Sequence, residues 1–151
     1  MKSFLLFFLL VGMNAVTAQE TDEQAVQKTI ERFFTGFHKQ DSMIIRSTVA
    51  DGIIMQTIGQ DADGSKKVKT EIFDRFIQSI VRIPDTTKFQ ERLMGFTIKV
   101  DGAMANAWTP YEFWVNDAFS HCGVNSFQLF KDGGKWEIIY LIDTRRKEDC
   151  L

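Results

Sequence analysis

The chain has 151 residues, of which 44% are hydrophobic and 25% charged. That is the balance of one folded soluble domain and excludes an intrinsically disordered chain. The formal net charge of −2 provides no basic surface of the kind that binds nucleic acid.

Residues 1–18, MKSFLLFFLLVGMNAVTA, carry one Lys, an apolar run from Phe4 to Met13 and then small residues. This is the pattern of a secretory signal peptide cut after Ala18, and the run is short for a bilayer span. No Cys lies near the cut, which argues against a lipid anchor. The expectation is a single domain over 19–151, periplasmic or secreted, with no membrane association after signal removal.

The first helix begins at Thr21, which with Gln24 forms a capping box, and Asp22 and Glu23 suit the positive end of the helix dipole. Val26, Ile30, Phe33, Phe34 and Phe37 recur at helical spacing. They form its inner face, and Phe37 is also assigned to the wall of a pocket. His38 falls at the helix end, where a cation suits the dipole. Asp41 caps a short second helix with Ile44, Ile45 and Val49 inward, and Ala50–Gly52 ends it. Ile53–Gly59 reads as a strand, with Gln56 offering an amide. A polar turn and a short strand at Lys67–Lys69 follow. Thr70 then caps a third helix with Phe73, Phe76, Ile77 and Ile80 inward, and Pro84 lies just beyond it.

From Lys88 the period changes to two. FQERLMGFTIKV is one long strand closed by Asp101-Gly102, AMANAWTPYEFWV is closed by Asn116-Asp117, AFSHCGVNSFQLF by KDGG, and KWEIIYLID is the last. Pro110, unable to donate to a ladder, is expected to mark a bulge. Helices segregated from an antiparallel meander make the fold class α+β.

The segment WTPYEFWVNDAFSHCGVNSF, Trp108–Phe127, places Glu112, His121 and Asn125 among aromatic rings. A two-residue turn at Asn116-Asp117 sets Val115 opposite Ala118. With an unbroken register, Glu112 then faces His121, Trp108 faces Asn125 and Trp114 faces Phe119, all on one side of the sheet. On the pocket reading, Glu112 and His121 form an acid–base pair, and Trp108, Trp114 and Asn125 line the wall. On the plainer reading they form a cross-strand pair on a solvated or dimer-facing surface. One residue of slip would dissolve the arrangement. Asp143 and Arg145 share a face after the last strand and either edge the pocket or form a rim ion pair.

Two His far apart, without HxH or CxxC spacing, do not make a zinc site. No phosphate loop and no nucleophile elbow is present, so no cofactor or metal is expected. Cys122 and Cys150 are the two cysteines. An oxidising compartment permits a bridge between them; the alternative is a buried thiol at Cys122 and a loose tail at Cys150, and spacing does not decide.

The element order, with FFTGFHKQD near the end of the first helix and WEIIYLIDTRR in the last strand, resembles the nuclear transport factor 2-like (SnoaL-like) superfamily, in a secreted bacterial form. The resemblance implies a cone in which three N-terminal helices pack on a curved antiparallel sheet, with a pocket at the open end. It also implies a homodimer through the outer sheet face. The superfamily includes isomerases, dehydratases, epoxide hydrolases, polyketide cyclases and non-catalytic binders, so fold does not settle function. Its catalytic layouts transfer poorly. Steroid isomerases use a Tyr on the first helix, where this chain has Phe33, Phe34 and Phe37. Scytalone dehydratase-like members use two His, and here one of the two is His38 at a helix end. Epoxide hydrolase-like members use an Asp–Arg–Asp set, of which Asp143 and Arg145 supply only part. Three functions follow as expectations: a binder of a small apolar or aromatic molecule; a cofactor-independent isomerase, dehydratase or cyclase; and a dimerisation module without activity.

Overall fold

The computed structural model describes residues 20–61 and 63–150; the expected signal peptide lies outside them. Helix α1, Asp22–His38, opens on the capping box read from sequence. The Gln24 N–H donates to Thr21 Oγ1 at 3.2 Å, and the Thr21 N–H donates to Gln24 Oε1 at 3.0 Å. Helix α2, Ser42–Arg46, is capped by Asp41, whose carboxylate accepts from the backbone of Met43 and Ile44. It is shorter than expected. Ala50–Gly52 does not end a helix but lies within strand β1, Val49–Gln60.

Strand β2, Lys66–Glu71, returns from β1 and leads into helix α3, Phe73–Val81. Thr70 does not cap α3. The N-cap is Ile72, without a side-chain bond, and the Thr70 hydroxyl accepts from the Gln56 amide within the β1–β2 pair. Only α1 and α2 precede the sheet, so the expectation of three N-terminal helices is corrected to two.

The predicted strand FQERLMGFTIKV is two strands, β3, Phe89–Leu93, and β4, Thr97–Asp101. Both pair with one edge of β5, Met104–Val115. Pro110 sits opposite their break, in register with Val124. Its carbonyl accepts from Met94 N–H at 2.8 Å. Its nitrogen lies on the same side, facing the break, where no ladder bond is forfeited. The bulge expected at Pro110 is absent. Strands β6, Ala118–Asp132, and β7, Lys135–Thr144, complete the sheet.

The strand order is β2-β1-β7-β6-β5-β3, with β4 also on β5. It is α+β with a curved, unclosed sheet. The sheet is mixed and not antiparallel throughout, because β1 runs parallel to β7. Extra residues bend the ladder at Ser120 in β6 and Ile139 in β7, as bulges do. Val26, Ile30, Phe33 and Phe34 of α1 pack into the concave side against Ala107, Phe127, Leu129, Trp136 and Ile138. Each large side chain buried there contributes about 1.5–3 kcal/mol. Gly36 permits α2 to lie on α1, because a Cβ there would stand 2.8 Å from the Ile45 nitrogen.

Candidate functional site

The concave side of the sheet is filled by core at one end and left open at the other. The open part is a cavity of about 460 Å³, within the range of small-molecule sites. One wall is aromatic. Phe37 and Phe76 stack with centroids 6.1 Å apart, Phe33 stacks on Phe76 at 6.3 Å, and Phe113 lies tilted beside Phe37 at 6.4 Å. Ile80, Met55 and Leu141 extend this lining.

The opposite wall is polar, and its members come from four strands and the tail. Glu91 of β3 points inward between Phe89 and Leu93. The Asn125 amide donates to Glu91 Oε1 at 2.7 Å, and Asn125 itself is 4% exposed. The Glu91 backbone N–H donates to His38 Nε2 at 2.9 Å, so α1 holds β3 in place. His38 is therefore an acceptor and not the dipole-capping cation expected: burial pushes its pKa down. The Tyr111 hydroxyl, on β5, donates to the Thr144 carbonyl at 2.9 Å and lies 3.2 Å from Asp143 Oδ2. Arg145 Nε donates to the same oxygen at 2.8 Å. His121 stacks on Phe113 at 5.0 Å and has Nδ1 3.1 Å from the Ser120 hydroxyl.

Burial divides the titrations of these groups. Removed from water and near the Asp143 charge, the Glu91 carboxyl rises from 4.5 to about 8, although the Asn125 amide pulls it back. At neutral pH it is largely the neutral acid. Burial raises Tyr111 well above the usual phenol, assisted by the charges of Asp143 and Glu91. His121 moves the other way: burial lowers it first, then the positive charge of Arg145. Burial opposes the charge on Arg145, but the Asp143 carboxylate outweighs it and holds the guanidinium firmly protonated.

The predicted constellation on the β5–β6 hairpin separates. The two-residue turn is present, with Asn116 and Asp117 at φ 48° and 62° and Val115 opposite Ala118. Trp114 does face Phe119. Ser120 is then an extra residue, so His121 pairs with Phe113, Glu112 with Cys122, Trp108 with Ser126 and Asn125 with Thr109. The slip sends Glu112, Trp108 and Trp114 to the outer face and leaves His121 and Asn125 on the inner one. The expected Glu112–His121 pair does not form. Glu112 instead accepts from Trp114 Nε1 at 3.0 Å, beside Arg92, whose guanidinium lies 4.4 Å from the Trp114 ring centre. Trp108 is 50% exposed.

Phe37, Asp143 and Arg145 line the cavity. Gln56 borders it, but its amide is committed to Thr70 and to the Tyr140 hydroxyl, which donates to Gln56 Oε1 at 2.6 Å. Glu91 and Tyr111 are the site residues that sequence reasoning missed. For Glu91 a signal existed: in FQERL it alternates with Phe89 and Leu93, so it shares their inward face.

Cys122 and Cys150 form a disulfide, the alternative left open by the sequence. With the Cys122–Arg146 bridge, it ties the tail that carries Arg145 against β6. Among the described residues, no group of three or more His, Cys, Asp or Glu is placed to hold a metal ion.

No family model and no curated protein matches the chain. Solved structures do. A nuclear transport factor 2-like protein from Cytophaga hutchinsonii superposes with a TM-score of 0.68 at 9% identity, covering 84% of this chain and 100% of that one. A nuclear transport factor 2-like protein of unknown function from Shewanella baltica gives 0.61 at 18% identity, covering 86% and 100%. A proposed dehydratase of the same fold family from Streptomyces avermitilis gives 0.62 at 13% identity, covering 83% and 96%. The chain therefore has the nuclear transport factor 2-like fold. At these identities the likeness is one of fold and does not carry a reaction.

Proposed function

We propose that the cone binds a small, largely apolar molecule and orients it by a polar group set against Glu91 and Asn125. The observation that carries this reading is the Glu91 carboxyl. It is held as a neutral acid inside an aromatic-walled cavity, and a neutral carboxyl both donates and accepts. A titration of the protein with 2-naphthamide, followed by NMR, tests it. Saturable shifts at Asn125 and His121 are expected. Shifts confined to Trp108 and Trp114 would place binding on the outer face and refute it.

A cofactor-independent acid–base enzyme is a second reading, favoured by the opposed shifts of two groups on one cavity. Glu91 is pushed up towards its acid form and His121 down towards its neutral base form. Such a pair supplies a donor and an acceptor of protons together at neutral pH. That suits isomerisation, dehydration or cyclisation, and the proposed dehydratase among the fold neighbours is compatible with it. Deuterium exchange from heavy water into the methyl group of 2-acetylnaphthalene is a generic assay. Acceleration by the wild type, lost in Glu91→Gln and His121→Ala, is expected of a catalyst; the buffer rate throughout identifies a binder.

Secretion through a signal peptide at 1–18 is part of the proposal, and the disulfide supports an oxidising destination. So is a homodimer through the outer sheet face. There Met104, Trp108, Phe130 and Ile139 are 56%, 50%, 44% and 38% exposed on neighbouring strands. Sedimentation of the wild type as a dimer and of Trp108→Glu as a monomer is the expected result.

A further inference from the structure

Arg145 spends only one edge of its guanidinium. Its Nε donates to Asp143 Oδ2, and neither terminal nitrogen has a hydrogen-bond partner among the described residues. The side chain is 59% exposed while that of Asp143 is 12% exposed. The pair thus hides its anion and presents its cation. Both line the same cavity as the aromatic wall, so Arg145 borders a slot with one aromatic and one polar wall.

We propose that the pocket takes an apolar carboxylic acid in its ionised form, its carboxylate on the free terminal nitrogens of Arg145 and its apolar body along the Phe37, Phe76 and Phe113 wall. This rests on the small-molecule reading above and names the class of ligand.

Three features favour an anion over a neutral amphiphile. Paired N–H groups of a guanidinium match a carboxylate in geometry as well as in charge. Asp143 Oδ2 accepts from Arg145 and has the Tyr111 hydroxyl 3.2 Å away, which offsets its own negative charge. His121 has its Nδ1 beside Ser120 and no described partner at Nε2. Burial lowers its pKa first, and the positive charges of Arg145 and Lys147 add to this while Asp143 opposes them. A bound anion there would compensate that repulsion and raise the His121 pKa.

Glu91 makes the selection dependent on pH. It is faced by Asn125 from β6, Tyr111 from β5, His38 from α1, and Asp143 and Arg145 from β7 and the tail. While it is neutral, an anionic ligand meets the paired Asp143 carboxylate and the exposed Glu71 one. Once it ionises, the ligand meets a third, and this one is removed from water.

The experiment compares 2-naphthoate with 2-naphthamide by calorimetry on the intact disulfide-bonded protein. Naphthoate is expected to bind at least tenfold tighter at pH 6.5. That preference is expected to fall as pH passes about 8. Arg145→Gln is expected to remove the preference and keep naphthamide binding, and Arg145→Lys to restore part of it. Retained naphthamide binding also shows that the variants are folded. Equal affinity of both probes for the wild type, or a preference that survives Arg145→Gln, would overturn the ligand class and leave the pocket reading intact. Failure of both probes to bind would overturn both.

Discussion

Glu91, His121, Asn125 and Thr109 share one face of three adjoining strands, and the chemistry follows from how each is satisfied. Glu91 has an amide partner and His121 a hydroxyl neighbour, but Thr109 Oγ1 is buried without a partner among the described residues. An unpaired buried hydroxyl costs free energy that a methyl group does not. Thr109→Val is therefore expected to raise stability by about 1 kcal/mol, measured by urea unfolding. His121 is expected to titrate below 6.5 by NMR. Its folded pKa is depressed, so its contribution to stability is full above 6.5 and is lost as pH falls through the folded value. A His121 midpoint above 6.5 would remove it as the neutral base of the second reading.

Elements decide which residues reach the site. Helical spacing, the Thr21 and Asp41 caps and the Asn116-Asp117 turn are legible, because each rests on local chemistry. The bulge at Ser120 is not. An extra residue in a strand needs no special side chain, and Trp108–Val115 carries large apolar groups on both faces, so alternation cannot choose between them. One residue therefore exchanges Glu112 and Trp108 for Phe113 and Tyr111 as the inward set. The split of the 89–100 segment into β3 and β4 is partly readable in hindsight, since Gly95 sits in the break. The helix after β2 falls where its apolar spacing predicts, but its entry through Ile72 shows that a strand pair can claim a Thr that local patterns assign to a cap. Gly123 controls the close approach of the β7 end to β6. A Cβ there would collide with the Thr144 carbonyl oxygen and stand 2.9 Å from the Tyr111 ring. Gly123→Ala is expected to cost about 3 kcal/mol by urea unfolding and to weaken ligand binding, because it displaces Asp143 and Arg145 together.

At the scale of the whole molecule, the fold is a curved, unclosed sheet whose C-terminal tail is pinned against β6. The Cys122–Cys150 bridge closes a separation of 28 residues, so replacing both with Ser is expected to lower stability by about 3–4 kcal/mol, read by thermal unfolding. The position of the second cysteine is beyond sequence reasoning, since only the folded chain shows which tail reaches β6. Stability should also carry the signature of Glu91. Its folded pKa lies above its unfolded one. The folded state therefore holds a proton that the unfolded chain gives up, and stability falls as pH rises between 4.5 and about 8. The slope is at most about 1.4 kcal/mol per pH unit, and Glu91→Gln should flatten it. The most direct measurement is the ionisation of Glu91 itself, followed through its side-chain carboxyl carbon by NMR from pH 4 to 10. A midpoint near 8 is expected of a neutral acid inside the cavity; a midpoint near 4.5, that of a solvated glutamate, would contradict it.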